Sequence, residues 1–267
     1  MRSRSIRDGV RDRLRGLRRR GYYSSRRLVL GGYYRLVHLN YERQWIAPRK
    51  RTPAGTVRSY ELYNRHGRDA MLAELDGHCD HDAVVFDVGA NVGVYALALA
   101  AGRPDRRVVA FEPAPPVADQ LRANVRLNDL EDRIDVRPTG LGDEAGDRPF
   151  YVSTYTELSA FDRESASRWE ASVADVCPVP VERLDAVVEA GPTPDVVKID
   201  VEGAAPAVLR GGRETLTTHR PTVFLEIHEK GLDGDEPDEC RETLTDIGYG
   251  VRDRGDYWLA EPLESDR

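Results

Sequence analysis

The residues with the clearest chemical meaning are a glycine-rich turn and the carboxylate in front of it. Residues 84–95 read VVFDVGANVGVY, in which an apolar run ends at Asp87 and Gly89, Asn91 and Gly93 follow at alternate positions. Glycine adopts backbone angles closed to other residues, so this glycine turn (Gly89 to Gly93) lets a strand pass directly into a helix. A helix N-terminus placed this way can face a polar or anionic ligand. The turn therefore predicts a cofactor site, with an ordinary tight connection as the simpler alternative.

The spacing of the glycine turn bears on which cofactor it would hold. A dinucleotide fingerprint, G-x-G-x-x-G, has glycine where the backbone approaches the pyrophosphate, whereas this chain has Asn91 there. Glu112 ends the next apolar run about twenty residues further on, where a carboxylate accepts hydrogen bonds from both ribose hydroxyls of a nucleotide. An NAD-dependent oxidoreductase stays open as an alternative, because it would use the same turn and the same carboxylate.

More ionisable residues are expected at the ends of other strands. The run PDVVKIDVEG carries Lys198, Asp200 and Glu202, and the run TVFLEIHE carries Glu226 and His228. Charged side chains in apolar strands are costly to bury without a partner or a task. Lys198 and Asp200 share the parity of their strand, with Glu202 following if the strand continues. They therefore predict either a functional site or a structural ion pair.

An alternation of strands and helices must position these residues. The predicted strands begin near residue 84 and lie at 106–113, 133–138, 194–203, 220–229 and in a closing pair around 253–256. Alternating β and α elements are typical of a parallel sheet with right-handed crossovers, in which ligands collect beyond the carboxyl ends of the strands. We therefore predict an α/β fold with a doubly wound, mostly parallel, seven-stranded sheet. Residues 154–177 are polar and predict an irregular loop, either beside the site or at the surface.

The series of motifs resembles the FkbM family of S-adenosylmethionine (SAM) methyltransferases. FDVGANVG, FEP, LD, KIDVEG and FLEIH occur in the order and spacing of that family, over roughly residues 80–230. The chain departs from the family in reading Ala204-Ala205-Pro206 where an acidic residue often follows KIDVEG. The resemblance implies a class I methyltransferase fold and O-methylation, commonly of a sugar or polyketide hydroxyl. If that acidic residue helps to bind the substrate in the family, its replacement here affects which substrate class the chain accepts.

The resemblance also implies roles for the site residues. The glycine turn would hold the methionine end of SAM, and Asp87 would support the turn. Glu112 would bind the ribose. Asp143, in the loop after the third strand, would lie near the adenine.

Transfer of a methyl group to a hydroxyl also requires removal of the hydroxyl proton during the attack. Asp200 or Glu202 is predicted to be that base, with His228 as an alternative and Lys198 beside them. In a second interpretation Asp200, Glu202 and Glu226 bind a divalent metal that lowers the pKa of the hydroxyl. The residue types do not favour base over metal.

Composition separates a basic N-terminal extension from an acidic body. The chain has 267 residues and a net charge of −7, yet its first fifty residues are strongly basic. The only lysines are Lys50, Lys198 and Lys230. We predict a helical extension at 1–51 and a SAM-dependent methyltransferase domain at 52–267. An acidic, lysine-poor body keeps a protein soluble in a salt-rich cytoplasm, so a halophilic source is a hypothesis.

Within the extension, apolar residues recur at helical spacing among many arginines. Ile6, Val10, Leu14 and Leu17 define a basic amphipathic helix, which can lie on an anionic membrane surface. The alternatives are a solvated arm, a helix packed on the domain and, more weakly, a nucleic-acid-binding arm. We predict peripheral membrane contact through residues 1–37, a small-molecule or glycan acceptor that could be lipid-linked, and no nucleic-acid partner.

The remaining signals concern the compartment. Cys79, Cys177 and Cys240 are far apart and form no CxxC pair, which favours a reducing cytoplasm. No apolar stretch has the length of a membrane span, and the basic N-terminus lacks the apolar core of a secretory signal. A cytoplasmic protein, peripheral at most at the inner membrane face, is therefore predicted.

Overall fold

The computed structural model describes residues 30–168, 171–227 and 236–263. The helices are α1 (30–43), α2 (Ala70–His78), α3 (Val94–Gly102), α4 (Pro115–Leu127), α5 (Arg163–Ala166), α6 (Leu184–Glu189), α7 (Ala205–Gly211), α8 (Arg213–Thr218) and α9 (Glu236–Asp246). The strands are β1 (Arg49–Arg51), β2 (Thr56–Arg58), β3 (Val84–Val88), β4 (Arg107–Phe111), β5 (Ile134–Arg137), β6 (Gly140–Leu141), β7 (Gly146–Ser153), β8 (Val173–Glu182), β9 (Val196–Ile199), β10 (Thr222–Glu226), β11 (Tyr249–Asp253) and β12 (Tyr257–Pro262). A single 3-10 turn covers Thr156–Leu158.

A seven-stranded sheet forms the centre of the molecule, in the order β11-β12-β10-β9-β3-β4-β5. Every neighbouring pair from β10 to β5 is parallel, and β12 runs antiparallel to both β10 and β11. The apolar, β-branched runs of β3, β4 and β9 suit strands buried on both faces. The predicted mostly parallel, seven-stranded sheet is confirmed.

Helices cover both faces of this sheet. Consecutive strand residues point to opposite faces, so Val85 packs in a core with α2, α3 and α4, while Phe86 packs in a second core with α6, α7, α8 and α9. The sheet is therefore doubly wound, as predicted. Because the strands run parallel, β3, β4, β9 and β10 bring their carboxyl ends to one edge.

At that edge the strands are shorter than the apolar runs indicated. β9 ends at Ile199, so Asp200 follows the strand directly and Glu202 lies in the turn that comes next. Gly203 has a φ of 76° in the same turn, which ends the extended backbone. The strand does not continue, so the condition under which Glu202 would share a face with Lys198 and Asp200 is not met.

A smaller sheet takes in the last part of the region predicted as irregular. β6, β8 and β7 form three strands in that order, with β7 and β8 antiparallel. The 3-10 turn and α5 fill the connection between β7 and β8. The part of 154–177 from Val173 onwards is therefore strand, because β7 supplies a pairing partner that local sequence does not reveal.

The described part of the N-terminal extension packs onto the main domain. The hairpin of β1 and β2 spans the predicted boundary between residues 51 and 52, so that boundary does not separate two structural units. Asn124 of α4 accepts from the Tyr60 amide N–H and donates to the Tyr41 hydroxyl, at 3.1 and 2.8 Å. Asn40 of α1 donates to the Tyr60 carbonyl at 2.6 Å. These buried bonds stabilise α1 and the hairpin against α4.

The predicted basic amphipathic helix falls within residues 1–29, which lie outside the described residues. Membrane contact and nucleic-acid binding by this arm therefore stay predictions. Among the helices of the described ranges, none combines the length and apolarity that crossing a bilayer requires.

Candidate functional site

The glycine turn lies between β3 and α3, pressed against the end of β9. Gly89, Asn91 and Gly93 all have left-handed backbone, with φ of 77°, 48° and 88°. A Cβ at Gly89 would lie 1.9 Å from the carbonyl oxygen of Asp200. Only glycine allows this approach, so the turn has the tight geometry that its spacing predicts.

A buried ion pair supports the turn from below. Lys198 Nζ lies 3.0 Å from Asp87 and 3.2 Å from Asp200, and it donates to the Gly89 carbonyl at 3.1 Å. Asp87 Oδ2 accepts from the Ala96 amide in the first turn of α3. Burial alone would lower the pKa of Lys198, but the carboxylates of Asp200 and Asp87 outweigh it and raise that pKa. Lys198 therefore stays charged, which suits a positioning cation rather than a proton acceptor.

Glu112 ties the glycine turn to the start of α4. Its two carboxylate oxygens accept from the Asn91 and Ala114 amides, both at 2.9 Å. Burial raises the pKa of Glu112 to about 7, although these two hydrogen bonds act in the opposite direction. Each carboxylate oxygen has a second lone pair, so Glu112 can still accept hydrogen bonds from a ligand.

A cavity of about 470 Å³ opens at the carboxyl ends of the strands. Its lining includes most of the predicted site residues, namely Gly89, Asn91, Glu112, Lys198, Asp200, Glu202 and Glu226. Asp87 and Gly93 are not in the lining, since Asp87 lies under the turn and Gly93 packs against Leu121. Parallel strands of one sheet have thus brought residues far apart in the chain to a single concave site.

Two of the three carboxylates predicted as alternative metal ligands are paired with cations. Lys198 pairs with Asp200. Arg168 hydrogen-bonds Glu202, and only 7% of the Arg168 side chain and 10% of the Glu202 side chain are exposed. Within the described ranges no group of three His, Cys, Asp or Glu side chains is arranged to hold a metal ion. The grouping of Asp200, Glu202 and Glu226 as a metal centre therefore gains no support from the described residues and stays a prediction.

One other predicted residue, Asp143, is not brought to the cavity. Asp143 is not in the cavity lining and accepts two hydrogen bonds from Arg210, the shorter at 2.7 Å. The Arg210 guanidinium holds the pKa of Asp143 below its ordinary value. His228 lies outside the described residues.

The cavity has a second side that was not predicted from the sequence, here called the polar wall and made of Tyr34, Lys50, Glu61, Arg65 and Glu157. Arg65 donates to Glu157 at 2.6 Å, and the Tyr34 hydroxyl donates to the same carboxylate. Burial lowers the pKa of Lys50 to about 8 and raises that of Glu61. The wall therefore offers the cavity donors and acceptors of both charges, which suits a ligand rich in hydroxyls.

A histidine–aspartate pair also lines the cavity and was missed. His66 Nδ1 lies 2.7 Å from Asp69 Oδ2, and the Tyr95 hydroxyl donates to Asp69 Oδ1 at 2.8 Å. The segment between β2 and α2 has no apolar periodicity. The one local signal was Asp69 itself, which caps the N-terminus of α2.

Proteins similar in sequence to this chain include methyltransferases. The hexuronic acid methyltransferase AglP of Haloferax volcanii is 30% identical over 201 residues, covering 72% of this chain and 75% of that protein. The 2-O-methyltransferase NoeI of Sinorhizobium fredii is 30% identical over 164 residues, covering 57% and 65%. The AMB antimetabolite synthetase AmbE of Pseudomonas aeruginosa is 30% identical over 213 residues, which are 67% of this chain. The chain spans only 10% of the length of AmbE.

The family model of the methyltransferase FkbM domain matches residues 87–251. The match begins at Asp87 and takes in the glycine turn, Glu112, Lys198 and Asp200. It leaves out Lys50, Glu61, Arg65 and the His66–Asp69 pair, which precede it in the chain. The chain belongs to the FkbM methyltransferase family.

Proposed function

We propose that this protein is a SAM-dependent O-methyltransferase that acts on a hydroxyl of a sugar, a glycan or a related small molecule. One observation carries the proposal: the glycine turn, Glu112 and the polar wall line one cavity of about 470 Å³. Membership of a methyltransferase family favours methyl transfer over the alternative of an NAD-dependent oxidoreductase.

The residues on the glycine-turn side fit SAM. The Gly89 backbone leaves room that any Cβ would fill, and the buried Asn91 Oδ1 has no hydrogen-bond partner among the described residues. Asn91 and the turn would hold the methionine end, and Glu112 would accept from the ribose hydroxyls. When bound, SAM supplies an electrophilic methyl group on a positively charged sulfur.

The chain's own contribution is to position the two reactants. Lys198 fixes the glycine turn relative to β9, and the polar wall would orient an acceptor by hydrogen bonds. Holding the acceptor oxygen in line with the methyl group converts an encounter of two molecules into a step within one complex. In-line positioning supplies much of the rate of such a transfer, so rigid walls suit this chemistry.

The acceptor class rests on the polar wall and on the names of two relatives. Carboxylates and cations side by side can bind the hydroxyls and any acidic group of a sugar. AglP is named for a hexuronic acid and NoeI for 2-O-methylation. By analogy, we propose that the acceptor of this chain is a hydroxyl-bearing sugar, either free or part of a glycan.

Two measurements test the proposal. Titration calorimetry with S-adenosylhomocysteine (SAH) should give saturable binding, and NAD should not compete with it. Transfer of labelled methyl from SAM should then be measured on a panel of neutral sugars and hexuronic acids, free and as glycosides. Absence of SAH binding would refute the cofactor, and binding without transfer to any panel member would refute the acceptor class.

A further inference from the structure

His66 presents one ring nitrogen to a partner and leaves the other available. Nδ1 lies 2.7 Å from Asp69 Oδ2, and no described residue is hydrogen-bonded to Nε2. The His66 side chain is 32% exposed and lines the cavity. An imidazole held at Nδ1 in this way can take up a proton at Nε2.

Asp69 is held so firmly that it fixes the orientation of the ring. Its Oδ1 accepts from the Leu72 amide at 2.9 Å and from the Tyr95 hydroxyl at 2.8 Å. Burial alone would raise the pKa of Asp69, but the hydrogen bonds from His66, Leu72 and Tyr95 outweigh it and lower that pKa. Asp69 therefore stays ionised, accepts the Nδ1 proton of a neutral imidazole and stabilises the imidazolium.

A short chain of contacts connects this pair to the glycine turn. The His66 ring meets the Tyr95 ring edge to face, with centroids 5.7 Å apart. Lys198 Nζ lies 5.0 Å from the Tyr95 ring centroid and donates to the Gly89 carbonyl. His66 is thus one aromatic ring away from the turn that would hold the methionine end of SAM.

The two carboxylates predicted from sequence as the base are less suited to the task. Lys198 pairs with Asp200, and Arg168 pairs with Glu202. An adjacent cation stabilises the charged form of a carboxylate and makes it a weaker proton acceptor.

We propose that His66 is the general base for the acceptor hydroxyl and that Asp69 is its positioning residue, an inference that rests on the proposed function. The acceptor oxygen forms a bond to the methyl carbon while the carbon–sulfur bond breaks with its electron pair staying on sulfur. The hydroxyl proton passes to Nε2 of His66. The resulting imidazolium is stabilised by Asp69 and returns the proton to solvent through the exposed part of the ring.

The test compares three full-length variants with the wild type, on the panel member that the wild type methylates. His66→Gln should lower kcat by about 100-fold or more, the range of general-base catalysis, with SAH affinity unchanged. Asp69→Asn should also lower kcat, yet it keeps α2 capped because asparagine caps as well as aspartate. His81→Gln is the control, because His81 is exposed beside Asp82, and it should leave kcat unchanged.

Two further readouts separate a base from a structural residue. Added imidazole should restore activity to His66→Ala in proportion to its concentration. Nitrogen-15 NMR of the unliganded wild type should show that the neutral form of His66 carries its proton on Nδ1, and Asp69→Asn should change that tautomer.

Failure of the inference differs from failure of the proposed function. If the wild type neither binds SAH nor methylates the panel, the proposed function fails and the base falls with it. If the wild type is active, the base assignment is overturned by a wild-type kcat in His66→Gln. It is equally overturned if imidazole does not rescue a folded, SAH-binding His66→Ala, or if the neutral tautomer carries its proton on Nε2.

Discussion

The closest backbone approach in the site gives the sharpest prediction, the effect of Gly89→Ala. A Cβ at this position would meet the carbonyl oxygen of Asp200 at 1.9 Å. That carbonyl cannot easily give way, because the Asp200 amide donates to Val88 at 3.0 Å and β9 pairs with β3 and β10. The glycine turn itself must therefore move by about 1 Å before a methyl group fits.

The size of the effect follows from two contributions. A left-handed backbone costs a residue with a Cβ roughly 1–2 kcal/mol, and the φ of Gly89 is 77°. A reactant misplaced by about 1 Å can lose roughly 100-fold in rate. We therefore expect Gly89→Ala to lower methyl transfer by about 100-fold, to weaken SAH binding, and to lower the free energy of unfolding by more than the backbone contribution alone.

Gly255→Ala is the matched control. Gly255 has a φ of 95°, but a Cβ there would meet no atom within 4 Å. This variant should lose only the backbone contribution, about 1–2 kcal/mol in urea unfolding, and should bind SAH like the wild type in calorimetry. If Gly89→Ala binds SAH as tightly as Gly255→Ala does, the close packing of the turn does not shape the cofactor site.

Three further substitutions test the buried polar groups. Burial raises the pKa of Glu112 from 4.5 to about 7, so its contribution to stability is full below pH 4.5 and is lost as pH rises through 7. Glu112→Gln should lack this loss of about 3 kcal/mol in urea unfolding across that range. Lys198→Met leaves the buried Asp87 carboxylate without its cation and should lower the free energy of unfolding at neutral pH by about 3–5 kcal/mol. Asn124→Leu leaves the Tyr60 amide unpaired and should lower the free energy of unfolding by about 1–3 kcal/mol for each buried polar group that loses its partner. Amide exchange in residues 30–60 should become faster.

Each of these has a control and a contradicting result. Parallel pH curves for Glu112→Gln and the wild type would show that the carboxylate does not titrate abnormally. Arg122→Met removes a surface ion pair with Asp119 and should cost less than about 1 kcal/mol; a loss as large as that of Lys198→Met would show that burial is not the cause. Asn128→Leu removes exposed bonds to Arg58, so it should speed amide exchange at Arg58 and leave the rest of residues 30–60 unchanged.

The part of the site that was predictable rests on local pattern. The apolar run before Asp87, the alternating glycines and the carboxylate at Glu112 are each set by residues a few positions apart. Parallel strands align their carboxyl ends, so gathering Lys198 and Asp200 beside the turn followed from the strand order. Asp143 does not line the cavity as predicted, because the loop between β6 and β7 places it against Arg210 instead.

The sequence by itself determined the central sheet, its two helical layers and the glycine-turn side of the cavity, because hydrophobic period and glycine placement are local properties. Only the tertiary structure decided the other side. Tyr34 and Glu157 are 123 positions apart and meet through a hydrogen bond, while His66 and Asp69 lie in a segment with no periodic pattern. Side chains without a periodic signal are placed by long-range packing of α1, the hairpin and the small sheet. That packing depends on residues far apart in the chain, so no single stretch of sequence predicts it.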